Sequence, residues 1–143
     1  MTDDDTARGR VLALDPGAVR IGVAVCDSDR AIAMPLPAVP AGADAAARCA
    51  AIAIEESAVA VVVGLPLRLD GSPGDAAARA SGFADDLRHP LSTAGIEVVL
   101  FDERLTTVTA SARLRDAGVS ARRARGRVDS AAAVVLLEAW IAR

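Results

Sequence analysis

Apolar positions in this chain follow two rhythms. Short continuous runs of Val, Leu and Ile read as strands, and longer Ala-rich stretches read as helices. Met1 to Gly9 is acidic and polar and reads as a disordered tail. Arg10 to Leu14 forms a first strand, broken by Asp15-Pro16-Gly17. Arg20 to Cys26 forms a second, too close to the first for a crossover helix, so the pair is an antiparallel hairpin. Ala31 to Val39 reads as a third strand, confined to an edge or ended early by prolines at 35, 37 and 40. Asp44 is placed to cap a helix to about Ser57, whose small Ala-rich face can pack closely on a sheet. The Val run from Ala58 to Gly64 reads as a central parallel strand buried on both faces. The segment LPLRLDGSPG is loop, because Pro66, Gly71, Pro73 and Gly74 break regular structure. Asp75 to Ala94 is helical and Gly95 ends it. Ile96 to Phe101 is a further strand. Thr106 or Thr107 caps a helix to about Ala117, an arginine-rich loop follows, and Val128 to Ala142 is the last helix.

The order βββαβαβαα gives a meander of three strands followed by helical crossovers. The expected architecture is α/β: a mixed five-stranded sheet with helices on both faces. No linker or internal repeat is visible, so residues 10–143 are expected to form one domain behind the tail at residues 1–9.

Composition narrows the function. The chain has 143 residues, enough for one hydrophobic core. It is 52% hydrophobic and 24% charged, as soluble globular chains are. Aromatics are 2%, which argues against binding single strands by stacking bases on aromatic platforms. The net charge is -3, yet six arginines fall between Arg113 and Arg127 with Asp116 as their sole acid. Cys26 and Cys49 lack metal-type spacing and the one histidine is His89, so a zinc site is not expected. Signal-peptide features and an apolar run of the ~20 residues a membrane span needs are both missing, so a cytoplasmic protein is expected.

Three acids carry the candidate chemistry. Asp15 and Glu103 follow short apolar runs, and Asp129 opens a helix. Strand ends are where an α/β sheet gathers its chemistry, and a set of carboxylate oxygens suits hard divalent cations such as Mg²⁺ or Mn²⁺. The expectation is a metal-dependent enzyme acting on phosphate. Each acid also has a plainer reading. Asp15 could bond its own turn backbone. Asp129 in a first helical turn is stabilised by the helix dipole at ~0.3–1 kcal/mol. Arg122, Arg123, Arg125 and Arg127 could be a solvated loop.

Four blocks together resemble one family: LALDPGAVRIGVAV, VVVGLPLRLDGS, FDERLTT and RVDSAAAVVLLEAW. They span most of the chain, in order, and resemble the YqgF/RuvX family of precursor 16S rRNA nucleases, also described as Holliday-junction-resolvase-like. The resemblance implies an RNase H-like fold and assigns the acidic positions to Asp15, Glu103 and Asp129, with Asp102 left as a structural or supporting acid. It implies hydrolysis of a phosphodiester with two Mg²⁺ or Mn²⁺ ions ~3.5–4 Å apart. Asp15 would bridge the ions, and Glu103 and Asp129 would complete the ligands. Arg20, Arg104 and the arginines at 122, 123, 125 and 127 are then candidate contacts to nucleic-acid phosphates. One departure is Arg68-Leu69, where the family often has Asn-Met. Another is arginine in place of lysine in the basic loop, which keeps the charge.

The implied partner is precursor rRNA or branched DNA, in a monomer or homodimer, with ribosomal particles as further partners and no membrane. Three other readings stay open: a resolvase of four-way DNA, a non-catalytic RNA-binding ribosome-assembly factor, and an ATP-binding lobe. The last follows because LDPGAVRIGVAV also resembles the phosphate hairpin of the actin and sugar-kinase superfamily.

Overall fold

In a computed structural model, residues 8–106 and 130–143 are described. Five strands form one sheet in the order β3-β2-β1-β4-β5. They are β1 (Val11–Pro16), β2 (Arg20–Cys26), β3 (Ala33–Pro40), β4 (Ala60–Leu65) and β5 (Glu97–Asp102). The first three form the expected antiparallel meander, and β4 and β5 add parallel to β1. The interior strands β1 and β4 are buried along both faces, which is why they read as unbroken apolar runs.

Two cores sit on opposite faces. Leu12, Leu14, Val23, Val61 and Val63 pack under α1 (Ala45–Glu55) and α2 (Asp75–Thr93). Val11, Ala13, Ala24, Ala60 and Val62 pack under α3 (Ala131–Ala142). Side chains alternate along a strand, so odd positions of β1 and even positions of β4 face α3. With few aromatics, the α1 contact is made by Cys49, Ala50 and Ala53, whose small side chains let the helix lie close. Trp140, the one tryptophan, is covered near the end of α3 by the guanidinium groups of Arg143 and Arg30, 3.8 and 5.2 Å from its ring centre.

Several local expectations shift. Beta pairing runs on through Asp15 to Pro16: Asp15 pairs with Gly22 and Pro16 with Ile21, so Asp15 belongs to β1. At the other parallel edge Asp102 pairs with Leu65 and closes β5. Asp44 precedes α1 but makes no side-chain cap; its backbone carbonyl instead accepts the Arg48 N–H at 3.0 Å. Gly95 ends α2 as expected, with φ +76°, while the Ile96 N–H closes onto Leu91. The prolines of β3 lie on an edge strand. Arg8 and Gly9, read as tail, are tied by Arg30, and Gly9 N–H also reaches Ser28. Thr106 ends a 3-10 turn that begins at Glu103. The helix expected after it, the arginine-rich loop and residues 128–129 lie outside the described residues.

Both cysteines are free and buried. Burial pushes the Cys49 thiol up to about 12 and raises that of Cys26, so neither is an activated nucleophile. Among the described residues no helix is long and apolar enough to cross a membrane.

Candidate active site

Asp15 lies at the end of β1, on the side that α3 covers. The pairing Leu14 with Val63 puts Gly64 at the next level of β4, and Gly64 pairs in turn with Phe101 of β5. Glu103 follows immediately after β5, and its side chain folds back across Gly64. A Cβ at position 64 would stand 2.9 Å from the Glu103 carboxyl carbon and 3.0 Å from its Cγ. The missing side chain of Gly64 is therefore the notch through which Glu103 reaches Asp15, and the two carboxyls are hydrogen-bonded. In the sequence Gly64 stands at the end of a Val run. Its signal was a glycine inside a buried strand, which marks a close approach of another group.

Burial is the first cause of the electrostatic state of this pair. It pushes the Glu103 carboxyl up to about 8, helped by the hydrogen bond and charge of Asp15 and by the charge of Asp102. At neutral pH Glu103 holds a proton and donates it to Asp15. The two carboxyls are pressed together in a partly dry notch. A hard divalent cation fits that donor set, because it would neutralise both oxygens at once and replace the proton.

Asp102 and Glu103 are adjacent but serve different partners. Asp102 takes the Arg104 fork: Nε lies 2.9 Å from Oδ2, Nη2 lies 2.6 Å from Oδ2, and the Arg104 N–H reaches Oδ1 at 2.9 Å. The Arg104 hydrogen bond lowers the Asp102 pKa below the ordinary carboxylate range. This settles which acid turns towards Asp15: it is Glu103. Arg104, a candidate phosphate contact, is held by Asp102, and its Nη1 would lie 3.3 Å from a Cβ on Gly71 in the β4–α2 loop.

Arg20 is exposed at the start of β2. Its backbone carbonyl accepts the Gly17 N–H at 2.9 Å, and a Cβ on Gly17 would stand 2.7 Å from that oxygen. The close approach at Gly17 is thus made within its own hairpin.

Ser130, at the N-cap position of α3, is a buried polar residue. It makes no cap hydrogen bond. Its hydroxyl accepts the Val23 N–H at 3.0 Å and donates to the Leu36 carbonyl at 2.6 Å. The pairing of β2 with β3 slips here, with Gly22 opposite Pro37 and Ala38. Ser130 bridges the gap and fixes the start of α3 to the sheet. Asp129, Arg122, Arg123, Arg125 and Arg127 lie outside the described residues. Among the described residues no group of three or more His, Cys, Asp or Glu side chains could hold a metal ion.

A family model described as RuvX, Holliday junction resolvase, matches residues 9–143. Two relatives provisionally named pre-16S rRNA nucleases come from Rhodococcus erythropolis and Rhodococcus jostii. Each is 48% identical over 96% of this chain and 80% of its own length. Among solved structures, Thermus thermophilus RuvC bound to a Holliday junction substrate superposes with a TM-score of 0.60. It covers 94% of this chain and 95% of its own at 17% identity, a likeness of fold alone.

Proposed function

The chain belongs to the RuvX family, and from that premise we propose that it is a metal-dependent nuclease that hydrolyses phosphodiester bonds in precursor 16S rRNA. The observation that carries this reading is the Asp15–Glu103 pair, two half-buried carboxyls hydrogen-bonded to each other at the C-terminal ends of β1 and β5. Asp15 and Glu103 would hold Mg²⁺ or Mn²⁺, with Asp129 as a further ligand. The bound cation supplies charge for the developing oxyanions and a water acidic enough to attack near neutral pH.

The chain's own groups do the rest. Glu103 gives up its proton when the site is loaded. Gly64 keeps the notch open for its carboxyl. Asp102 holds Arg104 beside the site, where the remaining guanidinium donors can meet substrate phosphate. Ser130, the residue after Asp129 in sequence, is itself anchored to β2 and the edge strand β3. The arginines at 122, 123, 125 and 127 precede Asp129 in sequence and would hold the polymer by its phosphates without reading bases.

The description of the family model favours a second substrate, a four-way DNA junction. Purified protein should be incubated with labelled precursor rRNA ends and with a four-way junction, each with Mg²⁺, with Mn²⁺ and with EDTA. Trimming of the RNA that requires metal and is lost in Asp15→Asn is the expected result. Symmetric cutting of the junction by a dimer would favour the second substrate. Binding that persists in EDTA, with neither substrate cut, would make the chain a binding factor.

A further inference from the structure

The two most exposed large apolar side chains among the described residues are Leu69, 97% exposed, and Val19, 69% exposed. Isolated exposed apolar residues are ordinary, but these two share a place. Val19 lies in the β1–β2 turn just after Asp15, and Leu69 lies in the loop that follows Gly64. They stand on the rim at the strand ends that carry the carboxyl pair.

The Leu69 loop is built rather than loose. The Arg68 N–H donates to the Ser72 carbonyl at 2.9 Å, and the Gly71 N–H donates back to Arg68 at 2.8 Å. The Asp70 carboxylate accepts from the Ser72 N–H at 2.9 Å and its hydroxyl at 2.6 Å. Gly71, at φ +87°, makes the turn possible and lies against Arg104, which Asp102 holds. Leu69 is thus presented outward from a pinned tip beside the acids. Its neighbour Arg68 lies along Gly74, where a Cβ would be 3.0 Å from Nε. Among the described residues its guanidinium makes no hydrogen bond or ion pair. An apolar tip next to an uncommitted guanidinium matches the two halves of a nucleotide: base and phosphate. Apolar side chains of this kind enter between bases and unstack them, and cleaved strands offer unstacked bases at ends and branch points.

We propose that Leu69 contacts an unstacked base beside the cleaved phosphate, with Arg68 on a neighbouring phosphate, so that the substrates are nucleic acids with a base already unpaired or easily unstacked there. This rests on the nuclease reading above and adds its substrate class.

The test reads base stacking directly, in EDTA, so it needs no cleavage. A tailed RNA duplex and a four-way DNA junction carry 2-aminopurine at the single-strand boundary or the branch. Binding of wild type should brighten the probe severalfold. Leu69→Ala should lose most of that rise at saturating protein, with an unchanged melting temperature, and Leu69→Met should keep it. Arg68→Ala should bind more weakly but reach the wild-type brightness at saturation. With Mg²⁺, Leu69→Ala should cut fully paired ends at least tenfold more slowly than wild type and frayed ends almost as fast. Equal brightness in wild type and Leu69→Ala, or none in wild type, overturns the proposal. Brightening by wild type without cleavage under any metal would instead sink the nuclease reading and leave the contact standing.

Discussion

At the residue scale the decisive group is Glu103, whose burial opposes its charge. Its carboxyl titrates at about 8 against an ordinary 4.5. Between those values the folded chain keeps a proton that the unfolded chain has released. Stability from this group is therefore complete below 4.5, falls as pH rises, and levels off above 8. Urea midpoints from pH 5 to 9 should decline in wild type more steeply than in Glu103→Gln, which cannot titrate. Parallel curves would mean that Glu103 is not held protonated. Catalysis should respond in the other direction. Asp15→Asn and Glu103→Gln keep shape and remove a carboxyl from the proposed metal site, and each should slow cleavage at least about a hundredfold. Asp102→Asn should cost less, since Asp102 serves Arg104. Gly64→Ala is the sharper probe, because the added Cβ displaces a flexible carboxyl rather than backbone. It should leave the melting temperature nearly unchanged and slow cleavage by about 10²-fold, the cost of misplacing a reacting group by about 1 Å. Wild-type turnover in Gly64→Ala would show that the notch does not set the carboxyl's position.

At the element scale, the strands and helices were legible because their periods are local. The Val run of β4 and the Pro-broken edge of β3 each announced its own burial. What a residue bonds to across the sheet was not legible. Asp44 and Ser130 carry the same capping signal, yet neither caps: Ser130 answers a slip between β2 and β3 that only pairing reveals. The choice between Asp102 and Glu103 depended likewise on which neighbour lacked a side chain. Ser130 also joins two elements. Removing its hydroxyl leaves the Val23 N–H and Leu36 carbonyl without their bridge, at a cost of about 1–3 kcal/mol. Ser130→Ala should lower the urea midpoint accordingly, with the slope of unfolding unchanged. If the start of α3 also positions Asp129, cleavage should fall further than this stability loss accounts for at saturating substrate. A Ser130→Ala protein of wild-type stability would show that the strands close on each other without the hydroxyl.

At the scale of the whole molecule, proton, metal and fold are linked. The site excludes water well enough to hold a carboxyl neutral, and a cation that binds there must displace that proton. Below pH 8 each unit of acidity should weaken metal binding by up to about tenfold, because the folded chain must first release the proton. A ligand that binds only the folded chain stabilises it by RT ln(1 + [L]/Kd), about 2.7 kcal/mol at a hundred times Kd. Melts across a Mn²⁺ series should therefore rise in wild type, and rise more at pH 8 than at pH 6. Without metal the order reverses, since the empty site is least comfortable when both carboxyls are charged. Asp15→Asn relieves that repulsion, so it should melt at or above wild type in EDTA and gain less from Mn²⁺. The crossing of the two curves as Mn²⁺ is added is the signature of a site kept at the expense of stability. Equal gains in wild type and Asp15→Asn would leave Asp15 as a residue of its own Pro-Gly turn.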